Sequence, residues 1–186
     1  MPEANIDTDQ ALVELVVKGD RAAFGRLVSR HSGRLLTLAG RMLGSGSEAE
    51  DAVQDALASV WLARSRLDPS RIIAPFLTTI VLNKCRDRLR RRKVAGLVGI
   101  APSIDDLPLP DEAPDPETIA VSRDSLRRLR EEIERLPIRL REALVLVTID
   151  GRSQAEAANL LGVSEKAVET RVYRARNRLR EKIDDF

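Results

Sequence analysis

The sequence predicts an all-α protein of two small helical domains, a bundle over residues 1–95 and a helix-turn-helix unit over residues 123–186. An acidic, proline-rich linker over residues 96–122 joins them. Three observations carry this. Leu, Ala, Val and Arg abound while aromatic residues make up 3% of the chain, a mixture that favours helices over sheets. Apolar residues recur at spacings of three and four on both sides of the linker. Within it, Pro102, Pro108, Pro110, Pro114 and Pro116 interleave with Asp105, Asp106, Asp111, Glu112, Asp115 and Glu117. Proline at that density removes backbone donors, and repeated like charge keeps a strip extended and solvated.

In chain order, Thr8 is the expected cap of a first helix that carries Leu12, Leu15 and Val16 and closes at Gly19. Asp20 is suited to cap a second, with Phe24, Leu27, Val28, Leu35, Leu38 and Met42 as its apolar set and an end near Gly44. Ser47-Glu48-Ala49-Glu50 reads as a capping box for the third helix, where Val53, Leu57, Val60 and Trp61 lie on or near one face. A loop over Leu67-Asp68-Pro69-Ser70-Arg71 follows. Pro75 then suits the first position of a fourth helix, expected from Phe76 to about Lys93.

Beyond the linker, Leu136-Pro137 opens a helix with Leu140, Ala143, Leu144 and Val147, and Asp150-Gly151 ends it. Ser153-Gln154-Ala155-Glu156 is a second capping box, starting a short helix that stops at Gly162. Ser164 caps a long helix from Glu165 to about Asp184. Short helix, glycine turn and long helix form a helix-turn-helix pattern.

Composition excludes several functions. One cysteine, Cys85, permits no internal disulfide. With one histidine, His31, it cannot furnish a Cys/His-rich zinc site, so no metal and no cofactor are expected. His31 sits among Arg30 and Arg34 with no visible nucleophile partner, so no enzyme is expected. Nor does any glycine loop suited to cradling phosphates stand out. Met1 to Asp7 carries no basic region followed by an apolar run, and no stretch reaches the roughly 18 apolar residues of a membrane span. The expectation is a cytoplasmic protein without membrane insertion.

Charge is distributed unevenly. Residues 1–95 carry 16 basic against 11 acidic side chains, residues 96–122 none against 6, and residues 123–186 15 against 12. Lys84, Arg86, Arg88, Arg90, Arg91, Arg92 and Lys93 crowd the end of the fourth helix, opposed there by Asp87 alone. Such a run repels itself, and a polyanion relieves that repulsion while releasing counterions; a solvated face is the plainer alternative. On the last helix Val168, Val172, Ala175 and Leu179 form a packing stripe, Arg171, Arg174 and Arg178 a neighbouring basic one, with Thr170 and Lys166 further round. A helix that packs on one face and is cationic and polar on the other suits the major groove.

These segments resemble the bacterial RNA polymerase sigma factors of the extracytoplasmic-function group. Ala49-Glu50-Asp51-Ala52-Val53-Gln54-Asp55 and Trp61 are similar to the segment that docks on the polymerase clamp helices. Phe76-Leu77, Ile80, Asn83, Asp87 and Arg90-Arg91-Arg92 resemble the segment that opens the start-proximal promoter element. Leu136-Pro137, Arg141 to Leu146, Gln154 to Ala158, Leu161 to Ser164, Val168, Arg171, Arg174, Ala175, Arg176 and Leu179 resemble the second sigma domain. The short linker, with no third domain, matches the compact group. Phe76 stands where Trp is usual, which bears on how the melted strand is held. Glu169 stands where a basic or polar residue is frequent, which bears on the bases read.

The resemblance implies a region 2-like bundle and a region 4-like helix-turn-helix. It implies three partners: core RNA polymerase through its β and β′ subunits, promoter DNA and an anti-sigma factor. It assigns Asp51, Gln54, Asp55 and Trp61 to polymerase docking. Start-proximal DNA falls to Arg71, Phe76, Asn83, Lys84, Arg88, Arg90, Arg91 and Lys93. The upstream element falls to Lys166, Glu169, Thr170, Arg171, Tyr173, Arg174 and Arg178. It further suggests that the acidic linker lies in the polymerase's transcript channel. By residue chemistry alone, Asp51, Gln54 and Asp55 also suit an ordinary solvated face, and Trp61 a core position. A conventional regulator that binds duplex DNA without polymerase remains the alternative reading.

Overall fold

Side chains that accept from free amide groups fix where most helices begin. The computed structural model describes residues 8–97 and 116–184, with side chains for 8–95 and 126–182. Thr8 accepts from the Ala11 amide to start α1 (Asp9–Val17). Asp20 accepts from Ala22 and Ala23 to start α2 (Arg21–Leu43), which ends on left-handed Gly44. The third helix, α3 (Gly46–Leu62), is capped by Ser45, whose Oγ accepts from the Glu48 amide. The Ser47 box read from the sequence is therefore two residues late. Ser47 Oγ instead lies 3.1 Å from Ser45 Oγ and helps to hold the cap.

A single 3-10 turn at Arg64–Arg66 leads into the loop before α4 (Ile73–Leu97). Pro75 is the third helical residue, not the first, a position that still lacks an intrahelical amide partner. The tract 98–115, which holds most of the proline-rich strip, lies outside the described residues. The next helix, α5 (Pro116–Arg135), begins on a proline, and residues 116–122 form its first turns. α6 (Ile138–Leu144) runs on as one π-helical segment, Val145–Ile149. The Ser153–Glu156 capping box opens α7 (Gln154–Leu161), and left-handed Gly162 closes it. Ser164 caps α8 (Glu165–Asp184), its Oγ accepting from Ala167.

Every regular element among the described residues is helical. α2 packs against α1, α3 and α4 around Leu12, Leu27, Leu38, Met42, Val60 and Leu82, all fully buried. α8 packs on α5, α6 and α7 through Val168, Val172, Ala175 and Leu179, the stripe expected from their spacing. His31 Nε2 lies 2.9 Å from Asp9 Oδ2, and Arg30 bonds the other oxygen of the same carboxylate at 2.7 Å. The histidine thus ties α1 to α2. The buried apolar residues of both halves form one continuous cluster, so the domains rest against each other.

Candidate nucleic-acid interface

The helix-turn-helix exposes a shallow groove of about 340 Å³ lined by Gln154, Lys166, Glu169, Thr170, Val172, Tyr173 and Arg176. Glu169, Tyr173 and Arg176 stand at spacings of four and three, so α8 turns all three the same way. Lys166 Nζ donates to Glu169 at 2.9 Å, which offsets part of the positive charge at the N-terminal end of α8. Thr170 Oγ1 donates to the Lys166 carbonyl, leaving its lone pairs and methyl group for a ligand. Of the sequence candidates, Lys166, Glu169, Thr170 and Tyr173 meet here. Arg171, Arg174 and Arg178 lie on the adjoining stripe, Arg174 and Arg178 exposed. Gln154 and Arg176 were not among the candidates. Arg176 was readable from its spacing to Tyr173, whereas Gln154 reaches the groove from α7 through tertiary packing.

The second basic surface is α4. Phe76, Asn83 and Arg90 recur every seven residues and share one row, with Lys84 and Arg91 on its flank. Phe76 is 42% exposed at the head of the helix. Several arginines of the run are already engaged. Arg88 pairs with Asp55 of α3 at 2.8 Å, and Arg90 reaches Asp87 at 3.5 Å. Arg92 pairs with Glu48 at 2.5 Å and donates to the Leu43 carbonyl, so it closes the C-terminal end of α2. Arg86 binds Asn83 Oδ1 and the Glu142 carboxylate. Among the described residues Arg91 and Lys93 are exposed and have no ion pair, so they have the least to give up to a phosphate. Arg71 is exposed in the loop before α4 and pairs with Asp68. Hydrogen bonds from the Ser70 hydroxyl and amide hold the Asp68 carboxyl below its ordinary range and shape that loop.

On α3, Asp51, Gln54 and Asp55 are exposed on one face. The Asp55–Arg88 pair links that face directly to α4. Trp61 packs on Phe24, with ring centroids 5.1 Å apart, and the Arg64 guanidinium lies over the Trp61 ring, 4.6 Å from its centroid. It is a partly buried anchor beneath the polar face. Among the described residues no cluster of three metal-ligating side chains occurs, and no helix is long and apolar enough to cross a membrane.

Two family models match the chain: Sigma-70 region 2 over residues 27–94 and Sigma-70, region 4 over residues 126–179. The RNA polymerase sigma factor NccH of Alcaligenes xylosoxydans xylosoxydans is 40% identical over 172 residues, covering 92% of each chain. The ECF RNA polymerase sigma factor SigM of Mycobacterium tuberculosis is 38% identical over 173 residues, covering 92% of this chain and 83% of the relative. In three dimensions the chain is similar to CnrH as solved in complex with the cytosolic domain of CnrY. The TM-score is 0.71 at 32% identity, over 96% of this chain and 99% of the other.

Proposed function

The chain belongs to the RNA polymerase sigma factors of the extracytoplasmic-function group and directs core polymerase in transcription initiation, and we propose that α3, α4 and α8 divide that work among them. The observation that carries this reading is the pair of basic helices, α4 and α8, one in each domain of a single chain. A regulator that only binds duplex DNA needs one of them.

In this reading α8 enters the major groove of the upstream element. Arg171, Arg174, Tyr173 and Thr170 approach base edges, while Lys166 and Arg178 reach bases or phosphates. The Lys166–Glu169 pair must open or turn outward for Glu169 to accept from a base amine. Phe76 at the head of α4 offers an apolar platform to an unstacked non-template base, whose extraction costs a few kcal/mol. Asn83, Lys84, Arg88, Arg90, Arg91, Lys93 and, from the preceding loop, Arg71 then hold the strand by its phosphates. Asp51, Gln54 and Asp55 meet a basic surface of core polymerase, with Trp61 supporting them from below. Binding energy from the two promoter contacts offsets the melting, so the chain contributes recognition and strand opening, not chemistry. We place it in the cytoplasm, where its polymerase works. An anti-sigma factor is the expected antagonist, and the similar CnrH was itself solved in complex with another protein's domain, the cytosolic domain of CnrY.

The deciding experiment is run-off transcription on genomic fragments with purified core polymerase, with start sites mapped. Defined starts that need both core and this chain are expected. Sequence-specific duplex binding by the chain alone, with no transcripts when core is added, would overturn the reading.

A further inference from the structure

One acid interrupts the cations of α8. Between Lys166 and Arg180 the helix bears six basic side chains and a single acidic one, Glu169. Glu169 lines the groove of the helix-turn-helix together with Lys166, Thr170, Tyr173 and Arg176. On a face offered to DNA its carboxylate is repelled by the phosphates, so it weakens the attraction that the other six provide. Nor does stability account for it. Its partner Lys166 lies three residues earlier, which sets the cation at the positive end of the helix and is the less favourable order for such a pair. The two side chains are 82% and 52% exposed, and an ion pair so open to solvent contributes little.

What the pair does have is a defined geometry. Ser164 caps the start of α8, and the Thr170 hydroxyl bonds the Lys166 carbonyl, so the turn that carries both charges is held. Lys166 Nζ lies 2.9 Å from Glu169 Oε2. A donor and an acceptor are thus presented one hydrogen-bond length apart. In the major groove of a G·C pair, the guanine O6 acceptor and the cytosine N4 donor stand at a matching separation, because they are hydrogen-bonded to each other at about 2.9 Å. Laid on that edge, Lys166 donates to guanine O6 and N7 while Glu169 accepts from cytosine N4. An A·T pair also sets a donor beside an acceptor. There, however, the carboxylate at adenine N6 adjoins the N7 lone pair, and the ammonium group adjoins the thymine methyl.

We propose that Lys166 and Glu169 act as one unit that reads a single G·C pair of the upstream element, with Glu169 selecting the strand that carries cytosine. The proposal rests on the assignment of α8 to that element and names a base that it selects. The pair can turn outward together, since a carboxylate oxygen that already accepts from Lys166 has a second lone pair for cytosine N4. Guanine O6 and N7 and thymine O4 are acceptors and repel the acid. Glu169 therefore works largely by exclusion. It lowers affinity on all DNA, and lowers it least where a cytosine amine faces it.

The test is binding of holoenzyme, assembled from purified core polymerase and the full chain, to a promoter library varied one base pair at a time over the upstream element. Wild type should prefer cytosine on one strand at one position by about tenfold, the weight of one well-made base contact. Glu169→Ala should abolish that preference through two opposite changes, weaker binding where cytosine stands and tighter binding on the other three pairs. Glu169→Gln should move the preference at the same position toward adenine, whose N6 and N7 suit an amide. Lys166→Met should reduce discrimination there and weaken binding to every sequence, because it leaves Glu169 uncompensated. Both side chains are exposed, so helicity should match wild type in all three variants. If Glu169→Ala tightens binding on all sequences by one common factor, or leaves every base preference as it was, the proposal is overturned. A Glu169-dependent preference for any base other than cytosine overturns it as well. Should Arg174→Ala still alter selectivity at one position in those cases, the assignment of α8 stands without it. An upstream element in which wild type prefers no base at any position overturns that assignment itself.

Discussion

Arg174 and Cys85 are the single residues at which structure and chemistry commit most. Arg174 is exposed on α8, has no ion pair among the described residues and follows Tyr173 of the groove. If it reads a base, Arg174→Ala should cost about 1–3 kcal/mol and relax selectivity at one position of the upstream element. Holoenzyme binding across a single-base promoter library measures both, and uniform weakening at all sequences would make it a phosphate contact instead. Cys85 is fully buried, and that burial pushes its thiol up to about 12. Near pH 8 the thiolate fraction is then about one part in ten thousand, and the thiolate is the reactive form. A thiol reagent should leave the native chain unlabelled over minutes and label it at once in denaturant; rapid native labelling would contradict the packing of α4. By helical spacing Arg174 was placed on the outward stripe of α8. Gln154 could not be placed in the groove, because its partners there lie on α8 and no local pattern joins them.

At the scale of elements, capping chemistry made most of the helices legible, and its misreadings are instructive. Ser45 precedes α3 and Ser47 falls in its first turn, and which one caps depends on the turn after Gly44, not on residue type. The π-helical segment at Val145–Ile149 has no composition signal and lies where the chain packs on α2. α5 was hidden by its own start, since Pro116 and Glu117 look like more of the strip before them yet suit a helix N-terminus. The α7 box was read in full, and it gives a pH test. Hydrogen bonds from the Ser153 amide, then Arg152 and the Ser153 hydroxyl, lower the Glu156 carboxyl to about 2. Its folded value is depressed, so its stabilisation is present above the ordinary carboxylate range and lost as pH falls toward about 2. Urea midpoints should therefore drop over that window in wild type and less so in Glu156→Gln, while Ser153→Ala should cost about 1 kcal/mol near neutral pH. On α4 the unpaired cations are the test. Replacing Arg91 and Lys93 by Ala should weaken holoenzyme binding on all promoters alike and flatten the salt slope by about one unit per lost contact. A defect confined to some promoters, with the slope unchanged, would mean that they read sequence.

For the whole molecule, two helical domains could be read from the chain, but their embrace could not. Arg34 and Asp150 are 116 residues apart, and nothing near either one marks the pairing. What joins the domains covalently is 18 residues, from 98 to 115, between Leu97 and Pro116. In polyproline geometry that length spans up to about 56 Å, so reach alone would permit wide separation on polymerase. Reach does not explain its charge. No Lys or Arg occurs from Val94 through Ser122, although both are frequent on either side, and Asp105, Asp106, Asp111, Glu112 and Asp115 are spread along the strip. Spaced negative charge on an extended chain imitates a nucleic acid strand, and the basic channel that carries nascent RNA is the surface such a strip would fit. The test is to replace those five acids by Ser, keeping every proline and the length and leaving Glu117 in place because it belongs to the first turn of α5. If the strip occupies that channel, core affinity should fall, and the ratio of short abortive transcripts to full-length product should shift, because RNA no longer has to displace it. A tether needs length alone, so equal affinity and an equal abortive ratio would assign the charge to solubility.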